Sequence, residues 1–159
     1  MDRAAQRKVE WRIKAIEKRT DNLTPAWRRV GSYLAAGNRK QFTSKGVYYG
    51  TPWKPLKPDY QQWKTAQGYG RRMLVLTGAM KVSFTSRPMS IERYYKKSAV
   101  FGSDNQLGVY HQHGTHHNGR QAIPARPIMV KNRKVVRDVR DIIGEYVAHG
   151  KIGPLKGRL

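Results

Sequence analysis

Cysteine is absent from the 159 residues, and acidic residues are scarce: 10 Asp and Glu stand against 32 Lys and Arg, for a formal charge of +22. Without cysteine there is no disulfide framework, no thiolate nucleophile and no cysteine-based zinc site, so packing or oligomerisation must supply stability. The scarcity of carboxylates argues against paired acid–base catalysis. Asp138, Asp141 and Glu145 sit three and four apart beside Arg137 and Arg140, and read as a solvated, ion-paired helix face. A glycine-rich phosphate cradle followed by lysine is missing, as is a Gly-x-Ser-x-Gly elbow. No apolar run approaches the roughly 20 residues of a spanning helix. The N-terminus, with Arg3, Arg7, Lys8, Arg12 and Lys14, lacks a signal-peptide hydrophobic block. The expectation is a protein made in a cytosol-like compartment, with no membrane, enzymatic activity, cofactor or metal.

What is present is positive charge. A chain this basic repels itself, so an anionic partner is expected: nucleic acid first, then an acidic lipid surface or an acidic protein. Between Asp21 and Asp59 every charge is basic, and Arg28, Arg29, Arg39, Lys40 and Lys45 fall there; Arg71 and Arg72 lie in the next such block, before Glu92. These seven are the candidates to face DNA, through phosphate contacts that gain affinity by counterion release without reading sequence. For each of them a solvated or partner-facing surface is the competing reading.

Hydrophobic content of 38% suits one modest core, and we expect a single domain over 1–150 with a basic tail over 151–159. Ala5, Val9, Ile13 and Ile16 make one helical stripe over Arg3 to Lys18, with basic residues elsewhere on the cylinder. Thr24-Pro25 starts a second helix that buries Trp27, Val30 and Leu34 and ends near Gly37 and Asn38. From Gln41 to Gly70, glycines and prolines interleaved with Trp53, Tyr60, Trp63 and Tyr69 predict a long structured loop, with a short helix from Pro58 to Ala66.

Alternation at Met80, Val82 and Phe84 predicts a strand; Tyr95 to Phe101 and Leu107 to Gln112 predict two more, joined through Gly102 to Asn105. Ala122 to Val130 adds a fourth, confined to an edge by Pro124 and Pro127. A closing helix spans Asn132 to Ala148, with Val135, Val139, Ile142, Ile143 and Tyr146 on one stripe and Gly150 as its stop. The class is α+β: an antiparallel sheet of three to four strands packed with N-terminal helices and a C-terminal helix, and a long structured loop between the second helix and the sheet.

One segment has the composition of a metal or nuclease site: His111, His113, His116 and His117, with Asp104 upstream. A catalytic zinc site recruits a ligand from a distant element and a general base, and neither is evident, so solvated or contact-forming histidines are the preferred reading.

Four pieces then stand in order: Gly50-x-x-Trp53-x-Pro55-Leu56-x-Pro58-x-Tyr60, Leu74-x-x-Thr77-Gly78-x-Met80-x-x-Ser83, Tyr110-x-Gln112-x-Gly114, and Ile123-Pro124-Ala125-Arg126-Pro127. In this order they resemble the phage virion morphogenesis family, which includes Mu-like morphogenesis proteins and P2-like tail-completion proteins. The His-rich loop and the high charge are not part of that pattern. The resemblance implies a small α+β virion protein of the neck or tail end, a tail-completion or tail-terminator subunit assembled in the host cytoplasm. It would form a homo-oligomeric ring, hexameric by expectation, that meets tail-tube and head-closure or connector proteins and surrounds genomic DNA. Trp53, Leu56, Tyr60, Gln112 and Arg126 are the candidate subunit or partner contacts. Arg126, stiffened between two prolines, suits a carboxylate on a neighbouring subunit. A free DNA-binding protein and a His-cluster nuclease are the alternatives.

Overall fold

Long periodic segments become helices in the computed structural model of the chain, which describes residues 2–151 and 153. Helix α1 spans Arg3–Asp21, its start capped by the Asp2 carboxylate accepting from the Ala4 amide. Helix α2 spans Thr24–Thr43 with Pro25 in its first turn. It runs past Gly37 and Asn38, where the sequence predicts its end, because both are packing residues. A Cβ on Gly37 would run into the Tyr49 hydroxyl, and the buried Asn38 amide donates to the Phe84 carbonyl at 3.0 Å. A 3-10 turn at Val47–Tyr49 and a short helix α3 at Pro58–Ala66 follow.

The predicted three- to four-stranded sheet gives way to two separate antiparallel hairpins. Strands β1 (Ile91–Tyr94) and β2 (Ala99–Gly102) pair with Ile91 opposite Gly102. Strands β3 (Thr115–His117) and β4 (Arg120–Ile123) pair around Asn118-Gly119. There both residues take positive φ, 47° and 71°, the mirror-image turn that asparagine and glycine tolerate best.

The Met80 segment is not a strand but helix α4 (Ala79–Thr85): Met80 and Phe84 are buried one turn apart while Val82 between them is 58% exposed. Leu107 to Gln112 is likewise helical, in α5 (Gln106–His113). The residues taken for a hairpin turn supply its cap, since the Asn105 side chain accepts from the Leu107 amide at 3.1 Å. Of the fourth strand expected over Ala122 to Val130, only Ala122 and Ile123 fall in a strand, at the end of β4, and the prolines beyond leave the next stretch irregular.

Helix α6 spans Arg133–His149, capped by Asn132 and stopped at Gly150. α2 is the spine between two hydrophobic clusters. On one side Val30 and Tyr33 meet Tyr49, Val135 and Ile142; on the other Phe42 meets Trp53, Leu74, Met80, Phe84 and Ile128. Asp138 is buried rather than solvated as its helix face suggests, and accepts a 2.9 Å hydrogen bond from the Tyr33 hydroxyl. Burial pushes its carboxyl up. Hydrogen bonds from Tyr33, Arg137 and Lys134, with the Lys134 charge, outweigh that and hold its pKa below the ordinary value. Of the tail, Gly153 donates to Glu145 and accepts from Arg29; residues 152 and 154–159 lie outside the described part.

Candidate assembly interface

The four motif pieces converge on one knot. Trp53 packs edge-on against Phe42, ring centroids 5.5 Å apart, and its indole N–H donates to the Pro127 carbonyl at 2.9 Å. Buried Gln41 joins them: its amide nitrogen donates to the same carbonyl and to Thr51, and its oxygen accepts from the Tyr49 amide. Gln112 closes the other end, accepting from the Ile128 and Met129 amides and donating to the Met129 carbonyl at 2.7 Å. Arg126 donates to the carbonyls of Lys54 at 2.8 Å and Pro55 at 3.0 Å. Prolines cannot form a ladder, so side chains supply the bonds that an irregular backbone would otherwise leave unmade.

Arg126 of this knot also lines an open apolar groove of about 660 Å³. Leu56 and Tyr60 form one wall, Leu74 to Met80 another, and Leu107 with Ala122–Pro124 the far side. Lys64, 2% exposed, points its ammonium at the carbonyls of Arg72 (2.5 Å) and Val75 (2.6 Å), fixing the segment between α3 and α4. Burial, and then Arg72, lowers its pKa. His111 also lines the groove; burial, and then Arg126, lowers its pKa, favouring the neutral ring.

The five predicted contact residues therefore meet in one region with different roles. Trp53 (6% exposed) and Arg126 (5%) are spent inside the chain, and Gln112 is a brace. Leu56 and Tyr60 line the open groove, and Tyr60 is 45% exposed and stacks on Trp63. The basic candidates lie apart from it. Arg28, Arg29, Arg39 and Lys40 are on α2, all exposed except the half-buried Arg29. Arg28 sits over the Tyr94 ring, Lys40 over Tyr48, and Arg39 donates to the Thr85 carbonyl. Lys45, Arg71 and Arg72 are exposed on connecting segments. The four histidines are divided between the end of α5 and strand β3, and among the described residues no group of three or more His, Asp or Glu is placed to hold a metal.

A sequence model of phage virion morphogenesis proteins matches residues 4–148, from α1 to the last turn of α6. The chain belongs to the phage virion morphogenesis family. It is similar to Mu-like prophage FluMu G protein 1 of Haemophilus influenzae, 24% identical over 76% of this chain and 77% of that one. It also resembles an uncharacterized protein of Methanocaldococcus jannaschii, 31% identical over 60% of this chain and 67% of the other. No solved structure matches it significantly. Family membership gives this α+β chain a structural role in the phage virion. No helix among the described residues is long and apolar enough to cross a membrane.

Several organising residues of this morphogenesis protein escape sequence reasoning. Gln41 stands in step with Val30, Leu34 and Gly37 on α2, and that polar residue on an apolar stripe was a readable signal. Lys64 had none. Arg87 ion-pairs with Glu92, which accepts from the Tyr94 hydroxyl and the Met89 amide, while Arg87 also donates to the Arg28 carbonyl. This cluster ties the first hairpin to α2 across sequence distances that no local pattern encodes.

Proposed function

We propose that the chain is a neck or tail-end subunit that assembles as a homo-oligomeric ring, sixfold by expectation, at the head–tail junction. There it completes or terminates the tail tube, meets the head-closure or connector proteins, and surrounds the path of the genomic DNA. The carrying observation is the match to a virion morphogenesis family across residues 4–148. The pinned motif knot supports it, because side chains bonded to so many backbone groups make a rigid platform for contacts. The charge supports the DNA path: Arg28, Arg39 and Lys40 are exposed on α2, and the groups they are seen to meet within the chain are two tyrosine rings and a backbone carbonyl.

In a phage lacking this gene, the expected particles are separate filled heads and tails, or tails of abnormal length. Normal virions would overturn the reading. A free DNA-binding protein is the second reading, favoured by the exposed α2 cations. It predicts a DNA-dependent shift in size at moderate salt that weakens steeply as salt rises, with no ring in the absence of DNA.

A further inference from the structure

Two apolar surfaces of the chain are left open, one on a helix and one in a groove. Helix α1 buries no residue: Val9 is 55%, Ile13 50% and Ile16 40% exposed, on one stripe about 10 Å long at the helical rise. The tertiary hydrogen bonds of α1 come from its last turn, where Arg19 donates to the Ala148 carbonyl and Lys97 reaches Thr20 and Asp21. The second surface is the groove walled by Leu56, Tyr60, Leu76, Leu107 and Ile123. No residue of α1, α2 or α6 lines it. The chain's own α1 is also held elsewhere: Leu23 donates to Lys96, and Asn22 accepts from Tyr146.

Charge chooses the occupant. The charged residues that line the groove, Lys57, Lys64 and Arg126, are all basic. On α1, Glu10 and Glu17 lie three and four residues from Ile13 and form one edge of its stripe, while Lys8 and Arg12 form the other. Residues 2–21 hold Asp2, Glu10, Glu17 and Asp21, four of the ten acidic residues in a chain of +22, beside seven basic ones, so the complementarity lies in the Glu10–Glu17 edge and not in the net charge of the helix. Between copies that otherwise repel, this helix brings apolar surface and carboxylates together.

We propose that α1 of one subunit lays its Val9–Ile13–Ile16 face in the groove of a second copy, with Glu10 and Glu17 toward Lys57. Helix and groove are different surfaces, so the contact is head-to-tail and propagates around a ring. This rests on the ring reading and names its adhesive element.

The absence of cysteine makes the test clean. A full-length chain carrying Ile13→Cys is mixed with one carrying Leu107→Cys, oxidised, and run without reductant; circular dichroism confirms that each variant folds. The expected result is a covalent dimer from the mixture, and a ladder from a chain carrying both cysteines. Lys14→Cys, on the opposite face of α1, should link at least ten-fold less when paired with Leu107→Cys. Lys57→Glu should cut the Ile13–Leu107 link several-fold, and adding Glu10→Lys with Glu17→Lys should restore it. Light scattering on the parent chain separates the two claims. A ring with no Ile13–Leu107 link, or with equal linking from Lys14, overturns the docking and leaves the ring standing. A chain that stays monomeric at every concentration, without links, overturns both.

Discussion

Helices α1 and α6 have the same kind of sequence, charged cylinders with one aliphatic stripe, and they end in opposite surroundings. α6 sinks Val135 and Ile142 against α2, and Ile142 is fully buried. α1 keeps Val9, Ile13 and Ile16 open to solvent. The difference teaches what periodicity means. A stripe states that a face gains free energy when covered, at about 25 cal/mol per Å² of apolar area, and is silent on which chain covers it. In α6 the cover is intramolecular; in α1 none of the described residues supplies it.

The comparison can be broken most directly by truncating one isoleucine in each helix. Ile142→Ala should cost about 2–5 kcal/mol in urea unfolding, through lost burial and a cavity. Ile13→Ala in the dilute chain should stay within about 0.5 kcal/mol of the parent. Comparable losses would mean that α1 is covered within its own subunit.

A smaller effect is expected from the polar partner of α6. Asp138→Asn keeps the shape but removes the charge that Lys134, Arg137 and Tyr33 surround, and should cost about 1–3 kcal/mol at neutral pH. The folded pKa of Asp138 lies below its unfolded value. Its contribution is therefore complete above the unfolded value of about 3.9 and is lost as pH falls through the folded value. Acid titration of stability should be shallower below about pH 4 in Asp138→Asn than in the parent; identical slopes would remove Asp138 from the account.

Caps give the smallest contrast. Asn132→Ala removes the acceptor for the Val135 amide and should lower global stability by about 1 kcal/mol. Asp2→Ala removes the equivalent cap of α1, and should reduce far-ultraviolet helicity without moving the unfolding midpoint. Hydrogen exchange sharpens the same point: amides of the first turns of α1 should exchange through local fraying, and those around Ile142 only with global opening.

The motif residues mark where sequence reading stopped short. Trp53, Gln112 and Arg126 were legible as a constellation because their order matches a family, but their work inside the subunit was not. Their partners are backbone carbonyls and amides at Lys54, Pro55, Pro127 and Met129, and sequence does not display which carbonyls a loop leaves free. Leu56 and Tyr60 were legible for the same reason, and the groove that they line became visible only when α4, α5 and β4 were placed around them.

Sequence by itself determined the helices α1, α2, α3 and α6, the Asn132–Gly150 boundaries of the last one, the lack of any covalent crosslink, and the family. Each rests on local rules or residue inventory: a long 3.6-residue period, a capping side chain, a count. Tertiary structure decided the rest. Met80–Phe84 and Leu107–Gln112 are short enough to satisfy both the strand and the helix period, and sequence alone does not rank the two. The choice fell to what each could bury: Phe84 in one cluster with Phe42 and Ile128, and Gly108 close against the Phe84 ring, where a Cβ would clash. Over five or six residues local preference is worth less than one buried aromatic ring, so packing set the conformation.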